Sequence, residues 1–223
     1  MVSDKKTTFR PLKVTVTLDG TGIFYDKSEP PMLDALLEFF YARHARHQDR
    51  VGNRDDKPDT ISIPVDRHRF ADGSWCWKAS AFMPGGPVAE TTRFIRSRFR
   101  RDRIEITNGS PNLTNGVYRD YNIPVPLILC RTMVAYCVGD RRKIRRELRR
   151  ELKFLGKKGS DGFGKVVDVE VDVVDEDLSM TKDGKAMRYL PDPDGWRMVR
   201  MIPPYWNSWD RVKSCEIGDK YEL

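Results

Sequence analysis

The stretch DRRKIRRELRRELKFLGKKGSDGFGKV, residues 140–166, decides the predicted fold and most of the charge. It predicts a helix, a glycine-rich loop and a strand, in that order. Residues 141–158 hold ten Lys or Arg residues against two Glu, a local charge of +8, whereas the whole chain of 223 residues carries +7. The protein is therefore basic because of this one segment.

The helix prediction rests on four apolar residues at intervals of four, four and three, which places them on one face: Ile144, Leu148, Leu152 and Leu155. Asp140 is the expected N-cap, and Gly156 the expected left-handed residue after the helix. The opposite face carries six cations: Arg142, Arg145, Arg146, Arg149, Arg150 and Lys153. Like-charged pairs at i,i+4 cost roughly 0.2–0.5 kcal/mol each. An ordinary solvated face mixes signs, so this face is interpreted mainly as a surface for a polyanion.

Composition limits the class of protein. The chain is 39% hydrophobic and 33% charged, and its first residues lack the apolar core of a secretory signal. No apolar run approaches the length of roughly 18 residues that a membrane span needs. Four cysteines lack CxxC spacing and only three histidines are present, so we expect reduced buried thiols in the cytosol, no metal site and no cofactor. The concentrated basic segment indicates nucleic acid as the partner rather than a membrane.

Further strands and a second helix follow from simple patterns. Residues 12–18 alternate apolar and polar positions, as a half-buried strand does. Pro30-Pro31 introduces an apolar-periodic helix. Residues 75–83 predict a strand, and residues 125–138, the most apolar run, predict a central strand or two.

The element order is strand, helix, strand, basic insertion, strand, helix, strand. This order predicts an α+β fold of the ferredoxin-like (RRM-like) βαββαβ type. We expect one elaborated domain over residues 1–223, with a core at about 10–175, a hairpin-like insertion at about 84–122 and a turn-rich C-terminal extension at about 176–223.

Two weaker patterns have ordinary explanations. His44 and His47 are spaced i,i+3 at the basic end of the first helix. At a helix C-terminus, a histidine more often stabilises the helix by interacting with its dipole than acts in catalysis. The strand after the loop alternates valines with acidic residues: Asp168, Glu170 and Asp172. We expect this acidic face to be solvated or opposite a basic neighbour rather than to bind a metal.

A second basic cluster lies at residues 93–103, RFIRSRFRRDR. Its aromatic rings alternate with arginines, a pattern that suits single-stranded nucleic acid. The alternative is a twisted edge strand or hairpin that carries solvated arginines. The candidate RNA-binding residues here are Arg93, Arg96, Arg98, Arg100 and Arg101.

The glycine loop follows a helix, so it is neither a phosphate-binding Walker loop nor a dinucleotide fingerprint, both of which open a helix. Glycine nevertheless lets backbone N–H groups approach an anion closely, and Phe163 offers a stacking face. Such a loop suits a bent single strand of RNA; the alternative is a tight turn into the next strand. The candidate RNA-binding residues are Gly156, Lys157, Lys158, Gly159, Ser160, Gly162, Phe163 and Gly164.

A loop of the form G-K-K-x-x-x-G-F-G after the second helix resembles the hallmark of the RAMP superfamily of CRISPR-associated proteins. Four further stretches are similar to the subunit of type IV CRISPR effector complexes that caps the crRNA 5′ end: LDALLEFF, VGDRRKIRRELRRELKFLGKKGSDGFGKV, DGKAMRYLP and PPYW. The similarity is spread over most of the chain.

The resemblance implies a non-catalytic subunit that grips the crRNA 5′ handle, contacts the backbone and large subunits and lies near the flanking motif of target DNA. It places a thumb-like hairpin at residues 93–118 and leaves open whether the arginine helix binds RNA or target DNA.

Two other functions remain open from the sequence. Related RAMP proteins cut RNA with a histidine, tyrosine or lysine as acid and base, so a metal-independent endoribonuclease that matures crRNA is the main alternative. His44 or His68, with Tyr41 or Lys157, would then be its catalytic residues. A free-standing RNA-binding protein is the third.

Overall fold

The computed structural model describes residues 9–25, 29–44, 57, 59–97 and 121–223. Within these ranges the chain forms two α-helices, α1 (Leu33–His44) and α2 (Arg141–Glu151), and a short 3-10 helix, Gly159–Asp161. Thirteen strands are present in the same ranges: β1 (Arg10–Leu18), β2 (Ile23–Phe24), β3 (Arg67–Arg69), β4 (Trp75–Trp77), β5 (Met83–Pro84), β6 (Ala89–Ser97), β7 (Tyr121–Leu129), β8 (Thr132–Gly139), β9 (Val166–Val173), β10 (Thr181–Lys182), β11 (Lys185–Ala186), β12 (Arg197–Arg200) and β13 (Arg211–Ser214). This is an α+β protein, rich in strands.

The central sheet has four antiparallel strands in the order β5-β8-β1-β9. β1 lies in the middle, so that Val14 pairs with Ala135 of β8 on one side and with Val171 of β9 on the other. β9 is an edge strand and follows α2 in the chain. The predicted strands at residues 12–18 and after the glycine loop are confirmed.

Both helices pack against one face of this sheet. The apolar residues of β1 share a fully buried cluster with Leu33 and Leu37 of α1 and with Ile144 and Leu148 of α2. All four apolar residues that predicted α2 are buried, and Asp140 accepts hydrogen bonds from the backbone N–H of Arg142 and Lys143, as an N-cap should. The helix itself is therefore built as the sequence predicted.

The apolar run at residues 125–138 divides between two sheets. β8 belongs to the central sheet, whereas β7 pairs with β6 over Ala89↔Leu129 to Ser97↔Tyr121. β2 joins β7, which gives a separate sheet in the order β2-β7-β6. The hairpin predicted at about 84–122 therefore extends to residue 129, and residues 98–120, which connect its strands, lie outside the described residues.

The segment predicted as one strand at residues 75–83 forms two short strands. β4 pairs with β3, whereas β5 joins the central sheet. The residues between these two strands also bond to β8, through a bridge of Ala79 with Cys137. Between them, the carbonyl oxygens of Trp77 and Ala79 accept hydrogen bonds from the buried guanidinium of Arg188. A side chain thus satisfies backbone groups that a continuous sheet would otherwise have paired.

The C-terminal residues have a small core of their own, which packs against β4. One of its buried members, Cys76, lies on β4. The others belong to the C-terminal residues: Met180, Ala186, Tyr189, Leu190, Val199, Met201 and Cys215. All four cysteines of the chain are buried free thiols, as the sequence predicted. Neither α-helix of the described residues is long and apolar enough to cross a membrane.

Candidate nucleic-acid interface

The glycine loop is closed at its neck by backbone hydrogen bonds. The N–H of Leu155 donates to the carbonyl of Gly164 over 2.8 Å, and the N–H of Val166 donates to Lys153 over 2.9 Å. α2 ends at Glu151 with Leu152 as its C-cap, so the predicted cap position of Gly156 is wrong, whereas its predicted left-handed backbone is confirmed. The residues after Leu152 turn away to pair with the strand that returns from the loop.

Two glycines at the neck leave no room for a side chain. Gly156 has φ +86° and Gly164 φ +68°, both in the left-handed region. A Cβ at Gly164 would lie 1.9 Å from the carbonyl oxygen of Leu155, and one at Gly156 would lie 2.8 Å from that of Phe24. These glycines thus serve the tight-turn role that the sequence left open.

Phe163 holds the loop against the hairpin. Its ring is only 5% exposed and packs with Val125 and Leu127 of β7. The prediction that Phe163 offers a stacking face is therefore wrong, because the hairpin sheet covers the ring. The guanidinium of Arg93, on β6, lies 5.9 Å from the centre of the same ring. Loop and hairpin thus form one joined surface.

This joined surface, which we call the loop–hairpin surface, consists of the exposed cations around Phe163: Arg93, Arg96, Lys157 and Lys158. Lys157 Nζ donates to Glu29 Oε2 over 3.1 Å, and Arg96 Nε donates to Asn122 Oδ1 over 3.0 Å. Lys158 is exposed and adopts a left-handed conformation, φ 65°. The other candidate arginines of the cluster lie outside the described residues: Arg98, Arg100 and Arg101.

A family model for the CRISPR type IV associated protein Csf3 matches this chain at residues 10–112 and 110–217, so that the match spans the central sheet, both helices and the glycine loop. The chain belongs to this family. The resemblance to a type IV CRISPR-associated protein is thereby confirmed.

It is the match to the Csf3 family model that shows the family of this chain. Among solved structures, the chain is similar to a chain in a cryo-EM structure of the Type III-B Cmr-beta bound to cognate target RNA, with 11% identity and a TM-score of 0.36. That similarity covers 74% of this chain and 61% of the other, so this chain spans less than two thirds of its length. No curated protein matches in sequence.

The arginines of α2, together with Lys153 just after the helix, divide into three sets in this Csf3-family chain. Arg141 and Arg149 reach across to edge strand β9, where their Nε atoms donate to the carbonyls of Val171 over 2.6 Å and of Val169 over 2.8 Å. Their Nη2 atoms lie 3.4 Å from acidic side chains of the same strand, Asp172 and Asp168. The expectation of a basic neighbour for these carboxylates is confirmed.

The second set has no hydrogen bond or ion pair to any side chain of the described residues. It consists of four exposed cations: Arg142, Arg145, Arg146 and Lys153. Because no described side chain pairs with them, they are the members of the face that can meet an external polyanion. Nothing in the sequence separates them from Arg141 and Arg149, since the distinction depends on the edge of β9.

Arg150 belongs instead to an ion-pair network with His44. His44 Nε2 lies 2.7 Å from Glu147 Oε1, and Arg150 donates to both Glu147 and Glu151, over 2.9 Å and 3.0 Å. Arg150 also contacts His44 directly. His44, Glu147 and Glu151 place possible metal-ligand atoms within 4.8 Å of one another, and within the described residues the guanidinium of Arg150 already supplies a positive charge there.

The other residues considered for acid–base catalysis have separate environments. His68 contacts Phe70 edge to face, and its burial lowers the pKa of the imidazole. Burial raises the pKa of Tyr41, and Lys157 pairs with Glu29. Sequence reasoning missed Glu29, because a lone acidic residue before two prolines carries no pattern.

Proposed function

We propose that this protein is a non-catalytic subunit of a type IV CRISPR ribonucleoprotein, which binds and caps the crRNA 5′ handle. The observation that carries the proposal is the loop–hairpin surface, where Phe163 fixes the glycine loop against the basic hairpin and leaves Lys157, Lys158 and Arg93 exposed. Phosphates of a bent strand would contact these cations, while the closed neck keeps the loop in shape.

The fold supports the same proposal. The sheet order β5-β8-β1-β9, with α1 and α2 on one face, is the arrangement expected of a ferredoxin-like RAMP domain whose second strand is reduced to two residues. The hairpin of β6 and β7 then corresponds to the thumb-like insertion. We further propose that the chain contacts neighbouring backbone and large subunits, and that the second set of α2 cations helps to position target DNA near its flanking motif.

The environments of the candidate acid–base residues support a non-catalytic role. His44 is held by Glu147 and Arg150, whereas Lys157 is held by Glu29, so each of them already has a partner. A general acid or base has to reach the atom from which it takes a proton, or to which it gives one. We therefore propose that the chain holds RNA without cutting it.

The test is binding of a labelled crRNA repeat to the full chain in metal-free buffer. Replacing Lys157 and Lys158 by Gln should weaken binding. It should also lower the salt slope, the slope of log affinity against log salt concentration, by about 1.4, since each phosphate contact on a single strand contributes about 0.7. The matched control is Lys185→Gln with Lys220→Gln, two exposed lysines of the C-terminal residues that lie opposite each other.

The same assay separates the two candidate functions. We expect the RNA to remain intact. Cleavage that disappears in His44→Ala would overturn the proposal in favour of the endoribonuclease, and equal affinities of the loop and control variants would refute the glycine loop as the binding site.

A further inference from the structure

A cleft of about 380 Å³ lies beside the glycine loop, between residues 29–32, strand β12 and Trp206. Its floor is apolar and buried, made by Met32, Tyr189 and Val199. Its walls are the exposed side chains of Met198 and Trp206, which are 52% and 53% exposed. The cleft thus has an apolar floor, an indole ring on one wall and charged side chains among its lining.

Two guanidinium groups lie at the rim of this cleft. Arg197 stacks at 5.3 Å over the ring of Tyr189, and its Nη1 lies 3.4 Å from Glu216. Arg211 donates to the backbone carbonyls of Asn207 and Trp206 over 3.0 Å and 3.2 Å, which fixes the segment that carries the indole. An apolar floor with an indole wall, rimmed by guanidinium groups, matches a base with its phosphate.

Glu29 connects the cleft to the glycine loop. One of its carboxylate oxygens accepts from Lys157 Nζ over 3.1 Å, and the other lies 3.7 Å from Arg197 Nη2. The carboxylate is 58% exposed and bridges two cations, one on the loop and one in the cleft. A backbone phosphate could bridge the same two cations after displacing it, because both groups present anionic oxygens to N–H donors.

We propose that this cleft binds one unstacked nucleotide of the RNA strand that the glycine loop holds. The base lies against Trp206, and its phosphate lies between Lys157 and Arg197 in the place of the Glu29 carboxylate. This inference rests on the proposed function, since the strand reaches the cleft from the loop. The charge at the boundary favours RNA over a peptide: three cations, Lys157, Arg197 and Arg211, outnumber the two carboxylates of Glu29 and Glu216, and that of Glu29 is displaceable.

The experiment compares two tryptophans in the full chain. A short fluorescein-labelled oligouridine, which has no secondary structure, is titrated by fluorescence anisotropy. Trp206→Ala should weaken binding about fivefold or more, because one stacked base contributes about 1–3 kcal/mol. Trp196→Ala is the matched control, since Trp196 is 78% exposed and lies outside the cleft. Trp206→Phe keeps a ring and should restore most of the affinity.

Glu29→Gln is an independent variant that should change RNA affinity in the opposite direction from Trp206→Ala. Removing the carboxylate frees Lys157 and Arg197 for phosphate, so RNA binding should tighten. If instead Trp206→Ala and Trp196→Ala bind the probe as the unmodified chain does, the cleft proposal is overturned while the loop proposal stands on its lysine variants. The cleft proposal is equally overturned if Trp206→Ala leaves RNA affinity unchanged but abolishes co-purification of a partner protein, which would assign the cleft to a peptide.

Discussion

Arg188 lies fully buried beneath the C-terminal residues, whereas the arginines of α2 line an exposed helix face. The Arg188 guanidinium donates to the carbonyls of Trp77, Ala79 and Met201 and lies 3.4 Å from Asp34. On α2, Arg141 and Arg149 bond to a strand edge and Arg142, Arg145 and Arg146 bond to no described side chain. These arginines therefore have three different environments, buried, edge-bound and exposed, and only the last leaves the charge available.

Arg188, the buried arginine of this comparison, belongs to a network of three polar side chains. The Tyr205 hydroxyl donates to Asp34 Oδ2 over 2.6 Å, and Arg188 donates to the Tyr205 oxygen over 3.0 Å. Burial raises the pKa of Asp34, while the Arg188 charge and the Tyr205 hydrogen bond act in the opposite direction. The network joins the first turn of α1 to the C-terminal residues, so it ties the two buried clusters together.

The largest expected effect is from Arg188→Met. Removing one partner of a buried ion pair leaves Asp34 without its opposite charge and removes the guanidinium donor from the carbonyls of Trp77 and Ala79. The free energy of unfolding should fall by about 3–5 kcal/mol, measured by urea denaturation. The double variant Arg188→Met with Asp34→Leu should recover part of this loss, because it removes both charges.

Arg142→Met is the matched control for that experiment, since Arg142 is exposed and has no described partner. It should change the free energy of unfolding by no more than about 0.5 kcal/mol. Equal destabilisation by Arg188→Met and Arg142→Met would contradict a structural role for the buried guanidinium.

The next effect concerns binding rather than stability. Replacing Arg142, Arg145 and Arg146 together by Gln should leave the fold unchanged and lower the salt slope of single-stranded RNA binding by about 2, at about 0.7 for each lost phosphate contact. The slope is measured by anisotropy over a series of salt concentrations, and duplex DNA in a parallel titration shows which nucleic acid the face prefers. An unchanged slope with both ligands would mean that these arginines are merely solvated.

The elements built from local periodicity were predictable from the sequence. α2 begins at its predicted N-cap and buries its predicted face, because helix spacing and capping are properties of adjacent residues. The strand at residues 12–18 follows from its alternation in the same way. The glycine loop lies where the sequence predicted it. Position 164 at its neck requires glycine because a Cβ there would collide with the carbonyl oxygen of Leu155.

The failures of the sequence analysis all involve partners that lie outside the repeating pattern of the segment itself. Phe163 is buried because β7, about forty residues earlier in the chain, covers it. The helix ends before Gly156 because the strand returning from the loop pairs with Lys153 and Leu155. Arg188 satisfies carbonyls more than a hundred residues away, and no periodic pattern could mark a lone arginine for that task.

The smallest effect distinguishes the edge-bound arginines from the free ones on the same helix. Arg141→Gln and Arg149→Gln each remove a charged donor to a β9 carbonyl. Because the side chains are partly exposed, each change should lower the free energy of unfolding by only about 0.5–1 kcal/mol. Uncovering the carbonyls of Val169 and Val171 also opens a sheet edge, so the double variant should self-associate more readily in sedimentation velocity.

The salt slope of the double variant for RNA should stay close to that of the unmodified chain. A slope as low as that of the Arg142, Arg145 and Arg146 variant would show that Arg141 and Arg149 leave β9 to contact the ligand, and the division of the face would then be wrong.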